Sequence, residues 1–193
     1  MTLLKEYLST CSDKTVQQVA TISSILSNVK WKSVSFVIDM EPVPSHRPRL
    51  CGYRVYVPGA AKNQAYFNRK ILPKLNGLFI TTPCKIDLDI YVRTPKSFTK
   101  VQTALAEMKL LRPWVNTGDN DNYEKAVWDM IQPNEKRGHI GIMTNDCMII
   151  DNRSSKYYSM KPRYELTITY MESIPVDLYK ILRLKGVDSN EFD

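Results

Sequence analysis

The sequence predicts an α+β fold: a mixed β-sheet with helices packed on it. Alternating apolar residues mark strands at Val34–Asp39, Lys85–Arg93 and Arg163–Tyr170. Helical periodicity marks stretches between them, at Ala60–Leu75, Phe98–Leu111 and Asn122–Ile131. The two kinds of segment interleave without a regular βαβ rhythm, which favours a mixed sheet over a parallel one.

With 193 residues the chain is long enough for one domain with a real core. No run of eighteen apolar residues exists, and the start, Met-Thr-Leu-Leu-Lys-Glu-Tyr, lacks the long apolar region of a secretory signal. No membrane partner is expected. Cys11, Cys51, Cys84 and Cys147 are scattered, and with only His46 and His139 beside them a zinc site does not follow. Free thiols suit a reducing cytoplasm, the expected location. The net charge of +7 favours an anionic partner.

Residues 1–32 read as a helical extension, in which Ser12 or Asp13 caps a helix with Val16, Val19, Ile22, Ile25 and Leu26 on one face. The first strand follows, on Val34, Phe36 and Ile38. It ends in Glu41-Pro42-Val43-Pro44-Ser45-His46-Arg47-Pro48-Arg49, where prolines impose an extended loop. A short strand at Arg54–Val57 precedes the helix from Ala60, for which Ala65, Tyr66, Ile71 and Leu72 are the inward candidates. In the strand from Lys85, Asp87 and Asp89 fall on the face opposite the apolar set and are set aside as ligands. Ser97 is placed as the cap of the helix from Phe98, with Val101, Leu105, Met108 and Leu111 inward. Near the end, Cys147–Asp151 is expected to pair with Arg163–Tyr170 through Ser159–Pro162. A domain over 33–172 then gives way to residues 173–193, read as a short helix from Pro175 and an acidic tail.

The chemistry concentrates in Thr117-Gly118-Asp119-Asn120-Asp121-Asn122-Tyr123-Glu124-Lys125-Ala126-Val127-Trp128-Asp129. Asp121, Lys125 and Asp129 are four apart and share one helix face. Asp121 and Glu124 also have capping-box spacing, so the acids of the helix can equally serve its orphan amides. An EF-hand loop is excluded, because Tyr123 and Glu124 occupy the positions that need an oxygen ligand and glycine. A magnesium site uses convergent oxygen donors and explains Asp119 and Lys125, which a cap does not require. Asp146, at a turn before Cys147-Met148-Ile149-Ile150, supplies a further acid.

The pattern Asp119-x-Asp121-Asn122-x-x-Lys125-Ala126-x-x-Asp129, followed by Asp146 before an apolar strand and then Lys156, resembles the RusA family of Holliday junction resolvases. Arg47-Pro48-Arg49 and Tyr56-Val57-Pro58 match a basic segment of that family. The chain departs from it at Thr117-Gly118, where the family has Lys-Pro, and at Asn145, where it has aspartate. The resemblance implies a RusA-like α+β domain and a homodimer that resolves four-way DNA junctions. It implies Asp119, Asp121 and Asp146 as ligands of Mg2+, or Mn2+ in its place, and Lys125 as the charge stabiliser or water-orienting group. Asp129 would position Lys125, and Arg47, Arg49 and Lys156 would contact DNA. Two alternatives stay open: a basic DNA-binding protein without catalysis, and a nuclease for flaps or other branched DNA.

Overall fold

The computed structural model describes residues 2–45, 49–51, 54–56, 59–114 and 117–172. The expected C-terminal helix and acidic tail, and Arg47 with its flanking residues, lie outside these. The chain divides into two compact units, residues 1–32 with 171–193, and residues 33–170.

The first unit carries α1 (Thr2–Ser9) and α2 (Asp13–Ser27). Ser12 caps α2, its hydroxyl accepting from the Thr15 N–H at 3.3 Å, as its place before the periodic stretch predicts.

The second unit is built on β4 (Cys84–Arg93). Its four-stranded sheet has the order β1-β6-β4-β5, with β1 at Trp31–Ile38, β5 at Ile149–Ser159 and β6 at Arg163–Met171. β4 runs antiparallel to β6 and parallel to β5, so the sheet is mixed. Register explains the inner face: Ile86, Leu88 and Ile90 lie opposite Ile168, Leu166 and Tyr164, and all six are buried. Against this layer pack α3 (Ala60–Lys70) through Phe67 and α5 (Asn120–Ile131) through Tyr123, Val127, Met130 and Ile131. A separate hairpin pairs β2 (Arg49–Cys51) with β3 (Arg54–Tyr56).

Four expectations change. β5 does not pair with β6, because β4 lies between them. β5 also runs eight residues past Asp151, to Ser159, through Asn-Arg-Ser-Ser-Lys. As the edge of the sheet it tolerates polar residues that conceal it from a hydrophobicity reading. On α3 Gln64 and Phe67 are buried and Ala65 is exposed, whereas Ile71 is buried and Tyr66 and Leu72 pack half-buried on the core, as expected. The helix stops at Lys70, and a 3-10 turn over Leu72–Leu75 takes over at Pro73. Finally, α4 (Lys100–Glu107) is capped by Thr99 rather than Ser97, in a reciprocal box with Gln102. It buries Ala106 and leaves Val101 and Met108 about two-thirds exposed, at 69% and 65%. Its end is fixed instead by the Glu107 carboxylate, which accepts from the Met160 N–H at 2.6 Å.

Candidate functional site

The acidic motif begins where two backbones meet. Gly118 faces the Pro44 ring so closely that a Cβ there would lie 2.8 Å from the ring carbons. The Ser45 N–H donates to the Asn122 carbonyl at 2.8 Å. The same loop is fixed by Tyr66, whose phenol donates to the Asp39 carbonyl at 2.6 Å, and by a bidentate pair between Arg93 and Glu41. Arg93 holds the Glu41 carboxyl below the usual carboxylate range. The segment leading to Arg47 therefore leaves from a fixed point on the first turn of α5. That contact also accounts for Gly118 where the resembling family has proline.

Asp119 is the N-cap residue of α5, yet its side chain makes no capping hydrogen bond. Asp121 and Lys125 follow on α5 and are exposed. The carboxylates of Asp119 and Asp121 sit at the positive end of the helix dipole, which favours anions there. Glu124, the other half of the supposed capping box, points elsewhere. It accepts from the Ser154 hydroxyl and from the Asn152 amide at 3.0 Å, both on β5. The capping explanation of the motif thus fails on both of its acids.

Asp146 opens a 3-10 turn whose cap is Asn145, its side-chain oxygen accepting from the Cys147 N–H at 3.0 Å. Asn145 thus has a structural role of its own at the position where the resembling family has aspartate. Asp146 lines a shallow recess of about 330 Å³ with Glu124, Trp128, Cys147, Ile149 and Asn152. Burial raises the Asp129 pKa above the usual carboxylate range; Lys125 opposes the shift and the charge of Asp146 adds to it. Asp129 thus lies within the fields of both Lys125 and Asp146.

Lys156 lies on the inner face of the sheet, opposite Ile90. Its ammonium donates to the Gly118 carbonyl at 2.7 Å and stands 5.8 Å from the Tyr123 ring centre. Burial lowers its pKa, and the nearby charge of Asp119 partly restores it. Arg49 belongs to β2, paired with Tyr56.

Asp119 and Asp121 stand at the first turn of α5, Asp119 within the field of Lys156, and Asp146 lines the recess with Glu124 and Trp128. Among the described residues, no three His, Cys, Asp or Glu side chains gather closely enough to hold one ion. The donor chemistry still suits a hard cation. Among the described residues the carboxylates of Asp119, Asp121 and Asp146 enter no hydrogen bond or ion pair, and magnesium commonly uses one or two carboxylates with substrate phosphates.

Sequence reasoning missed Glu124, Asn152 and Ser154 as partners. Their signal was present: Asn152, Ser154 and Lys156 recur at steps of two, a polar stripe on one face of a strand. It stayed hidden because the strand was expected to end at Asp151.

Two comparisons bear on this arrangement. The family described as Endodeoxyribonuclease RusA matches residues 39–169, which include every motif considered above. A Bacillus subtilis (strain 168) protein, named Uncharacterized protein YqaN, is 32% identical over 143 residues, covering 70% of this chain and 94% of that protein.

Proposed function

The chain belongs to the RusA endodeoxyribonuclease family, and from that premise we propose that it is a divalent-metal-dependent nuclease resolving four-way DNA junctions. The observation that carries the proposal is the state of its acids. Asp119 occupies a cap position without capping, and Glu124 is turned to β5, so the acidic motif has no structural work that explains Asp119 and Asp121.

Asp119, Asp121 and Asp146 would supply carboxylates to one or two Mg2+ ions, or Mn2+ in their place, with no more than two of them on any one ion and substrate phosphate completing its shell. When bound, such an ion lowers the pKa of a ligated water and offsets charge developing on the phosphate. The chain's own groups do the rest. The first turn of α5 offers unpaired backbone N–H groups and a positive dipole end to a phosphate oxygen. Lys125, exposed one turn on, supplies a mobile positive charge at the scissile phosphate, and Asp129 restrains it. Arg47 and Arg49 contact the DNA backbone, with guanidinium groups suited to phosphate oxygens. A junction with near two-fold symmetry needs two matched cuts, which a homodimer with two sites supplies.

That no three ligand-type side chains gather around one point among the described residues favours a second reading, a DNA-binding protein that does not cut. One experiment decides: incubation of four-way junction, flap and linear duplex with Mg2+, beside the Asp121→Asn and Asp146→Asn proteins. Metal-dependent cutting of the junction by the unaltered chain alone supports the proposal. Tight binding with no cutting in any metal supports the second reading. Cutting of flaps in preference to junctions keeps the site and changes the substrate.

A further inference from the structure

We infer that Lys156 and Glu124 are positioning residues that clamp the first turn of α5 onto β5, and that Lys156 is not a DNA contact. The inference rests on the nuclease reading for its consequence in catalysis, and on geometry for the clamp itself. Three successive inner-face residues of β5 reach the helix. Asn152 and Ser154 both donate to the Glu124 carboxylate, and Lys156 donates to the Gly118 carbonyl at 2.7 Å. The two anchor points, Gly118 and Glu124, bracket Asp119 and Asp121 in the chain. Whatever fixes both ends of that turn fixes the carboxylates between them.

The surroundings of Lys156 separate this role from phosphate binding. A phosphate contact keeps its ammonium in solvent until DNA arrives. Here the group is partly buried against Tyr123, bonded to a main-chain oxygen, and within the field of the Asp119 charge. Removing it would leave the Gly118 carbonyl without that partner and Asp119 without its nearby positive charge. Glu124 carries no equivalent charge contact, so its role is mechanical: it joins helix to strand through two neutral donors.

The test compares Lys156→Met, Glu124→Ala and the conservative Glu124→Gln in the full chain, by junction cleavage, binding at several salt concentrations, and amide exchange over residues 123–127, whose N–H groups bond back to the carbonyls of the first turn. For Lys156→Met and Glu124→Ala, kcat is expected to fall on the order of 10- to 100-fold with KM little changed. Glu124→Gln, which still accepts a hydrogen bond, should recover most of the loss. The slope of log affinity against log salt should match the unaltered protein, because no phosphate contact is removed. Exchange at residues 123–127 should quicken in Lys156→Met while the last turn of the helix stays protected. A salt slope lower by about one in Lys156→Met would assign Lys156 to phosphate and overturn the inference. So would unchanged exchange at residues 123–127, even in an active enzyme. If the unaltered protein cuts nothing, yet exchange quickens as described, the nuclease reading fails and the clamp stands.

Discussion

The Ser45 N–H donates to the carbonyl of Asn122 at 2.8 Å, which ties the proline-rich segment to the helix carrying Asp121 and Lys125. Arg47 follows Ser45 by two residues in the sequence. Replacing Arg47 and Arg49 together by alanine should weaken junction binding and lower the salt slope by roughly two, about 0.9 for each lost phosphate contact. Fluorescence anisotropy across a salt series measures this. An unchanged slope would remove both arginines from the DNA interface.

Gly118 gives a stability prediction. A Cβ at that position meets two Pro44 ring carbons at 2.8 Å, and a proline ring has no rotamer by which to withdraw. Gly118→Ala should destabilise the protein by about 1–3 kcal/mol, the usual range for overpacking. Cleavage should fall with it, since Pro44 would push on the turn holding Asp119. Chemical denaturation beside a cleavage assay tests both, and a variant as stable and active as the parent would refute the close contact.

His139 sets a pH limit on stability. It is 3% exposed, with Nε2 2.6 Å from the Met130 carbonyl and Nδ1 2.9 Å from the Asn68 amide. Burial lowers its pKa, against the opposing pull of the Met130 carbonyl. The unfolded chain therefore takes up the proton first. Stability present above pH ~6.5 should decline as pH falls through the depressed folded value. His139→Gln should start less stable and lose this part of the decline. Equilibrium unfolding from pH 8 to 5 follows it, and parallel curves for the two proteins would exclude His139 as the cause.

The acids can be told apart by substitution. Asp87 lies on the outer face of the sheet, beside Arg153 and Thr167 in register, and is exposed. Asp87→Asn should leave cleavage at the parental rate, while Asp121→Asn should bring it below detection with junction binding retained or tighter. Gel-based cleavage and binding by the same preparations separate these outcomes.

Much of this site was legible before any coordinates. Its helix was, because Ala126, Val127, Met130 and Ile131 repeat at helical spacing and are all buried. The strands β1, β4 and β6 were too, since each alternates apolar residues toward the core. What was not legible depends on partners distant in sequence. Glu124 has ideal spacing for a local cap, and only β5, thirty residues on, draws it away. β5 itself is polar because it is an edge, so periodicity could not extend it to Lys156.

The placement of β4 between its two later partners has a consequence for synthesis on the ribosome. β5 and β6 are joined by only residues 160–162, yet they cannot zip together as a local hairpin, because each must dock on an opposite side of a strand made long before. A polypeptide released before Arg163 would leave one border of β4 bare, an open template for other chains. Premature termination near that point should therefore yield aggregates rather than a weakened enzyme.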